Sequence, residues 1–209
     1  MGYSTDFSGS FKLSKSLTKK QFDYINKFSE TRRMKRDVEK LMELFKGKGG
    51  YPGRTVAKNT PQEIYGNEGE YFVGGTESYG QGRDASIIDY NEPPGQLPYN
   101  TNEDFNKRWD AKRKHIEEEK CQPGLWCQWI VVDWEQYDEM ILEWNGGEKF
   151  YEYIPWLKYL IKHFFEPWGV KLNGEVHWVG EDSNDRGKIV VTDNVVKVYQ
   201  GTIVYNKIN

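Results

Sequence analysis

The stretch from Trp144 to Asp182, WNGGEKFYEYIPWLKYLIKHFFEPWGVKLNGEVHWVGED, decides the fold. Phe150, Ile154, Leu157, Ile161, Phe164 and Trp168 recur at three- and four-residue steps, so they share one face of a helix. A face this apolar needs a sheet to cover it. Gly146 and Gly147 break the preceding strand pattern, and Pro167 and Gly169 stop the helix. Asn173-Gly174 then leads into an alternation of Val176 and Trp178 against Glu175 and His177. The reading is strand, helix, strand.

Working outward, YSTDFSGSFKL at residues 3 to 13 sets Phe7, Gly9, Phe11 and Leu13 against polar neighbours, the alternation of a half-buried first strand. Thr18 supplies a cap, and Phe22, Ile25 and Phe28 follow at helical spacing. The stripe breaks at Ser29-Glu30-Thr31 and resumes at Met34, Val38, Leu41, Met42 and Phe45, which predicts two helices or one bent one. Residues 47 to 100 hold 11 of the 21 glycines and 5 of the 8 prolines, so they read as an insertion with one or two short strands. Residues 103 to 120, EDFNKRWDAKRKHIEEEK, predict an exposed helix, either solvated or held by a partner, anchored by Phe105, Trp109 and Ile116. Its basic half precedes its acidic half, against the helix dipole.

Gly124 to Trp134 and Met140 to Trp144 predict an antiparallel pair joined through EQYDE, and GKIVVTDNVVKVYQ predicts a hairpin around Asp193-Asn194. The order gives an α+β fold: a ferredoxin-like split βαβ antiparallel sheet with helices on one face, a long Gly-rich insertion and an added C-terminal β-hairpin. Residues 1–209 read as a single domain in which 47–120 is the insertion, carrying short strands and the exposed helix.

Composition narrows the function. With 29 basic and 32 acidic residues the net charge is −3, which excludes a generally basic nucleic-acid binder and a heavily acidic DNA mimic. Any charge-driven partner must meet a local patch. Aromatic content is 15% against an apolar content of 37%, so large rings carry the core. The start, MGYSTDFSGSF, has no secretory or myristoylation pattern and no run suits a membrane span, so the expectation is a soluble cytoplasmic protein with free Cys121 and Cys127.

The blocks FSETRRMKRD, EGEYFVGG, IIDYNEPP, QPGLWCQW, LEWNGGEKFYEYIPWLKYLI and PWGVKLNGEVHWVGED make the chain resemble a family of small phage- and bacteria-encoded proteins. The resemblance spans most of the chain except roughly 100 to 120, which reads as a lineage-specific addition. More weakly, the chain is similar to ferredoxin-like domains of plasmid and phage proteins. What the resemblance implies is a context of phages and mobile elements, with no reaction or ligand to carry over. Pro155 departs from the family pattern, which implies a kink in the central helix or a start one turn later.

Several constellations carry chemistry. Arg32, Arg33, Lys35 and Arg36 place four cations in five positions, suited to a phosphodiester or an acidic partner. Their bland alternative is a solvated helix face paired with Glu30, Asp37 and Glu39. Glu175, His177 and Glu181 are the residue types of an acid–base site, and Glu181 with Asp182 suits Mg²⁺, but the spacing matches no metal motif. Tyr159 and His163, four apart on the central helix, read as structural. EGEYFVGG and YGQGRD fit neither a P-loop nor a dinucleotide fingerprint and read as turns. Trp126 and Trp129 fall on opposite strand faces, so one is expected to be exposed for base stacking or a protein contact.

These residues converge on an expected cleft between the insertion and the open sheet face, lined by Asp89, Asn91, Glu175 and His177 with Trp126 or Trp129. The competing expectation is that Tyr65, Tyr71 and Phe72 fill that groove as a second core. No complete catalytic or cofactor motif occurs, so no cofactor and no membrane association are expected; the oligomeric state is left open. The first functional reading is a phage- or mobile-element-encoded binding protein that inhibits or sequesters a host or defence component. The second is a nucleotide- or nucleic-acid-processing enzyme with a carboxylate/His site, and the third a single-stranded nucleic-acid-binding module.

Overall fold

Strand β1 (Thr5–Leu13) lies inside a six-stranded antiparallel sheet, flanked by β5 (Glu139–Trp144) and β6 (Leu172–Gly180). With β4 (Trp129–Trp134), β7 (Arg186–Thr192) and β8 (Val195–Gln200), the order is β4-β5-β1-β6-β7-β8. The structure, a computed structural model, describes residues 2–46, 65–74, 81–97, 104–134 and 139–204. Among them are four α-helices: α1 (Lys19–Glu30), α2 (Val38–Phe45), α3 (Phe105–Glu117) and α4 (Tyr153–Leu160). A separate two-stranded ladder joins β2 (Lys35–Arg36) to β3 (Ile87–Asp89). No helix of the described residues is long and apolar enough to cross a membrane. Residues 135–138 of the EQYDE connection and much of the Gly-rich insertion lie outside the described residues.

Alternation fixes the two sheet faces. Phe11, Leu13, Val176 and Trp178 are buried with Leu157, Ile161 and Phe164 of the central helical segment, while Phe7 and Ile154 pack against that cluster. Successive strand residues point to opposite faces, so the cross-strand row Ser8, His177, Lys188 and Tyr199 lies on the other side. The aromatic side chains of the inner strands therefore serve the core. Trp129 is fully buried there, edge-on to Phe150 at 5.4 Å, and its Nε1 donates to the Tyr153 carbonyl at 2.9 Å. Trp129 is thus not an exposed ring, and among the described strand side chains Tyr199 is the large ring on the open face.

The caps follow the sequence. Thr18 and Gln21 close a capping box at α1, the backbone amide of Thr18 donating to the Gln21 side chain at 2.9 Å. Asp37 and Asp104 cap α2 and α3. Between α1 and α2 the chain is extended, because the Thr31 hydroxyl donates to the Lys27 carbonyl at 2.6 Å and β2 then pairs with β3. The basic cluster thus lies off the helix on which the sequence pattern set it.

Helix α4 starts at Tyr153, three residues after Phe150, where the apolar stripe begins. Pro155 falls in its first turn, where the missing N–H has no intrahelical partner to lose. The helix continues as a π-turn over Ile161–Phe165, with the Glu166 amide donating to the Ile161 carbonyl at 2.9 Å. The extra residue lets the consecutive Phe164 and Phe165 both enter the core and directs His163 sideways. In the β7–β8 turn, Asp193 and Asn194 take positive φ of 48° and 71°, matching the hairpin expected there.

Candidate functional site

Extended backbone after α1 drives Arg33 inward, where it is 2% exposed. Its guanidinium donates to the carbonyls of Glu70 and Phe72, and Nε donates to the Gln122 side chain at 3.3 Å. The fork also lies 4.0 Å over the Phe28 ring. Burial pulls the Arg33 pKa down to about 10, still protonated at neutral pH. Arg36 is 1% exposed, bonded to Asp84 at 2.8 Å and to the Ser86 hydroxyl at 2.7 Å, above the Phe72 ring. Lys35 pairs with Glu68 at 3.4 Å, and Arg32 stacks 4.2 Å over Tyr90 while donating to its carbonyl. The expected four-cation grip is therefore corrected. Arg33 and Arg36 donate into the described part of the insertion, with Arg36 Nη2 left without a partner, and that part packs on α1 and α4.

That packing builds a buried polar network. Tyr159 donates to the Glu70 carboxylate at 2.7 Å, the Tyr71 hydroxyl meets His163 Nδ1 at 2.9 Å, and the rings of Tyr159 and His163 lie 4.2 Å apart. Burial pushes the Glu70 carboxyl up, a shift partly offset by the Tyr159 bond and Arg33. It pulls His163 down to about 4, so the imidazole is neutral at pH 7. Tyr71 and Phe72 turn toward the helices, correcting the expectation that they fill a groove over the open face. His163 is structural, as its spacing suggested, but Glu70 and Arg33 carried no sequence signal of their role. Glu70 sits in a Gly-flanked block that reads as a turn.

Among the described residues, the lining expected for the cleft is dispersed. Glu175 and His177 pair on the open face, His177 Nε2 lying 2.6 Å from one Glu175 oxygen and Lys188 Nζ 2.7 Å from the other. Lys188 first, and then His177, hold the Glu175 carboxyl below its usual value. Asp89 accepts from the Asn91 amide at 2.7 Å. Glu181 accepts from the Ser4 amide at 2.7 Å and Asp182 from the Asn184 amide at 2.8 Å, as turn residues do. No three potential metal ligands cluster among the described residues. Trp129 is in the core, and of the two tryptophans it is Trp126 that comes together with Asn91.

They meet in a groove that the sequence did not indicate. Helix α3 spans it, buried at Ile116 alone, and divides it into a lobe of about 540 Å³ and one of about 790 Å³. The smaller lobe is walled by Trp126, Trp109 and Tyr151, with Gln96 and Gln128 beside them. The larger runs past Lys158 and Cys121 to Tyr159 and His163. Trp109, Arg113, Ile116 and Glu152 border both. Glu152 stands just ahead of α4 with φ 56°, and burial raises its carboxyl pKa against the pull of Arg113 and Lys112.

Two rings of α3 are exposed. Phe105 is 63% and Trp109 41% exposed, and their rings stack at 6.4 Å with 13° between planes. Arg108 lies 6.0 Å over Phe105 and Lys112 Nζ 5.9 Å from the Trp109 ring. Two expected anchors of this helix thus face solvent, and Ile116 is the one that holds it. Cys121 and Cys127 are free and buried, their thiols pushed up by burial to about 11 and about 12. Comparison of the chain with family models, with curated proteins and with solved structures gave no match.

Proposed function

We propose that the protein acts by binding another protein, with α3 as its docking ridge. The observation that carries this is the exposed Phe105–Trp109 stack flanked by Arg108 and Lys112 on a helix whose buried anchor is Ile116. Exposed Trp, Phe and Arg on one helix face are the residue types that carry interface energy. The complementary surface is apolar and acidic. The resemblance to phage- and bacteria-encoded proteins supports the further step that the partner is a host or defence component, blocked or sequestered in the cytoplasm. Two free thiols suit that compartment.

Beneath the ridge, we infer a ferredoxin-like split βαβ core. The antiparallel order β4-β5-β1-β6, with α1 between β1 and β4 in the chain and α4 between β5 and β6, supports it. The enzyme reading has less support, because Glu175 and His177 are engaged with Lys188 on an exposed face. The single-strand reading lacks a run of stacking rings on that face among the described residues. The test is capture from host lysate by wild type and by the double variant Phe105→Ser/Trp109→Ser. A protein retained by the first and lost by the second is the expected result; equal retention, or none by either, removes α3 as the docking surface.

A further inference from the structure

We propose that two copies of this chain pair edge to edge through β8, antiparallel about a two-fold axis at Val198, so that their sheets join into one. The two edges of the sheet are not alike. At the β4 edge, α1 takes the place of a neighbouring strand: the Asn26 side-chain amide donates to the Val131 carbonyl at 2.9 Å and accepts from the Val131 N–H at 2.8 Å, and the Ser29 hydroxyl donates to the Trp129 carbonyl at 2.6 Å. That edge is closed. At the β8 edge the two-residue turn at Asp193 and Asn194 sets which groups face β7, because the residues flanking such a turn exchange hydrogen bonds and the exchange then alternates along the ladder. Val195, Lys197 and Tyr199 bond inward, and the Gly201 amide continues the series by donating to the Arg186 carbonyl at 2.7 Å. Val196, Val198 and Gln200 therefore turn their N–H and C=O groups outward, and none of the described residues bonds to them. An edge in that state is a template for another strand.

The side chains select a second copy of β8 as that strand. Its sequence, VVKVYQ, is rich in strand-forming residues, Val195, Val198 and Tyr199 are exposed, and Lys197 is its one charge. Outward groups of one copy must meet outward groups of the other, so an axis at Val198 pairs Val198 with itself, Val196 with the partner's Gln200, and Lys197 with the partner's Tyr199. Each lysine then stands beside a tyrosine ring of the other copy, a cation–π pair on the open face. Lys188 of the same protomer already lies 5.8 Å from the Tyr199 ring and is held by Glu175, so the partner's Lys197 extends an existing row of charge and ring. An axis at Lys197 sets two lysines directly opposite each other, and an axis at Tyr199 leaves Val196 facing residues beyond the end of β8. Self-pairing thus has one favoured register. A contact of one short strand a side is at the weak end of interface sizes.

The test is sedimentation velocity of the full chain between about 1 µM and about 1 mM, a span that covers a weak contact. A concentration-dependent shift from the mass of one chain to that of two is expected. Val198→Pro removes the outward N–H at the axis and no bond to β7, so it should leave a folded monomer across the range. Tyr199→Lys sets lysine against lysine at both ends of the contact and should weaken dimerisation about tenfold, while adding Lys197→Glu should restore it. The Phe105→Ser/Trp109→Ser variant should dimerise as wild type does, which separates this edge from the docking ridge. A chain that stays monomeric throughout overturns the proposal, as does a dimer indifferent to Val198→Pro. A dimer that the lysine pair leaves unchanged, or that Lys197→Glu fails to restore, overturns the axis at Val198. Should Val198→Pro unfold the chain, the Tyr199 and Lys197 variants decide alone.

Discussion

The chain has two cationic segments, Arg32–Arg36 and Lys107–Lys114, and they meet opposite fates. In the first, Arg33 and Arg36 are almost fully buried and bonded to carbonyls, a carboxylate and a hydroxyl of the insertion. In the second, the side chains flank an exposed aromatic stack and border a groove. Sequence density of charge was higher in the first, yet Arg33 and Arg36 are the buried ones. A guanidinium carries five donors and a stacking plane, so it organises a loop from inside as well as it grips a ligand from outside. Which of these it does depends on acceptors far along the chain.

The comparison breaks first at Arg33. Arg33→Met leaves the Phe72 carbonyl and the Gln122 side-chain oxygen without their donor, leaves the Glu70 carbonyl with Gln122 alone, and should cost on the order of 3–5 kcal/mol of stability in urea unfolding. Arg113→Ala on the outer segment should stay within about 0.5 kcal/mol. Equal effects would mean that the two segments do not differ as described.

The histidines give the same contrast at smaller amplitude. His163 inside is pulled from 6.5 to about 4, so in that window the unfolded chain binds the extra proton. Its contribution is complete above the unfolded value and is lost as pH falls through about 6.5 toward about 4, up to about 3 kcal/mol in all. Urea midpoints across that window should slope in wild type and flatten in His163→Gln. A wild-type curve without slope would place the imidazole in water.

On α3, the double variant Phe105→Ser/Trp109→Ser should leave the melting temperature within about 2 °C while abolishing partner retention. A large fall in melting temperature would show the rings to be core. The smallest effect belongs to the open face, where Glu175→Gln removes an exposed cross-strand pair. No change in the urea midpoint is expected there, and a measurable loss would reveal a role for that face that its exposure hides.

Local periodicity made most of the sheet and the core helix legible. The strand at Phe7 to Leu13, the β7–β8 hairpin and the face through Leu157 and Ile161 each answer to a repeat within about ten residues. The helix starts at Tyr153, after the stripe's first member Phe150, because a proline constrains the first turn and the preceding residues take turn conformations. What stayed hidden was long-range. Arg33 reaches Gln122, Tyr159 reaches Glu70, and the groove exists only where α3 passes over the loop at Pro123 and Trp126. None of these pairings leaves a periodic trace, and the π-turn that aims His163 depends on tertiary packing.

Arg33 also has a history during synthesis. Its partners Phe72 and Gln122 follow it by 39 and 89 residues, which at about 5–20 residues per second means waits of roughly 2–8 s and 4–18 s. An apolar side chain in that place would spend those seconds as sticky surface on a nascent chain, beside Phe28 and Met34. A guanidinium is well hydrated while it waits and gives up its water only when the insertion arrives with carbonyls to replace it. The residue that locks the finished molecule is thus one that keeps the unfinished one soluble.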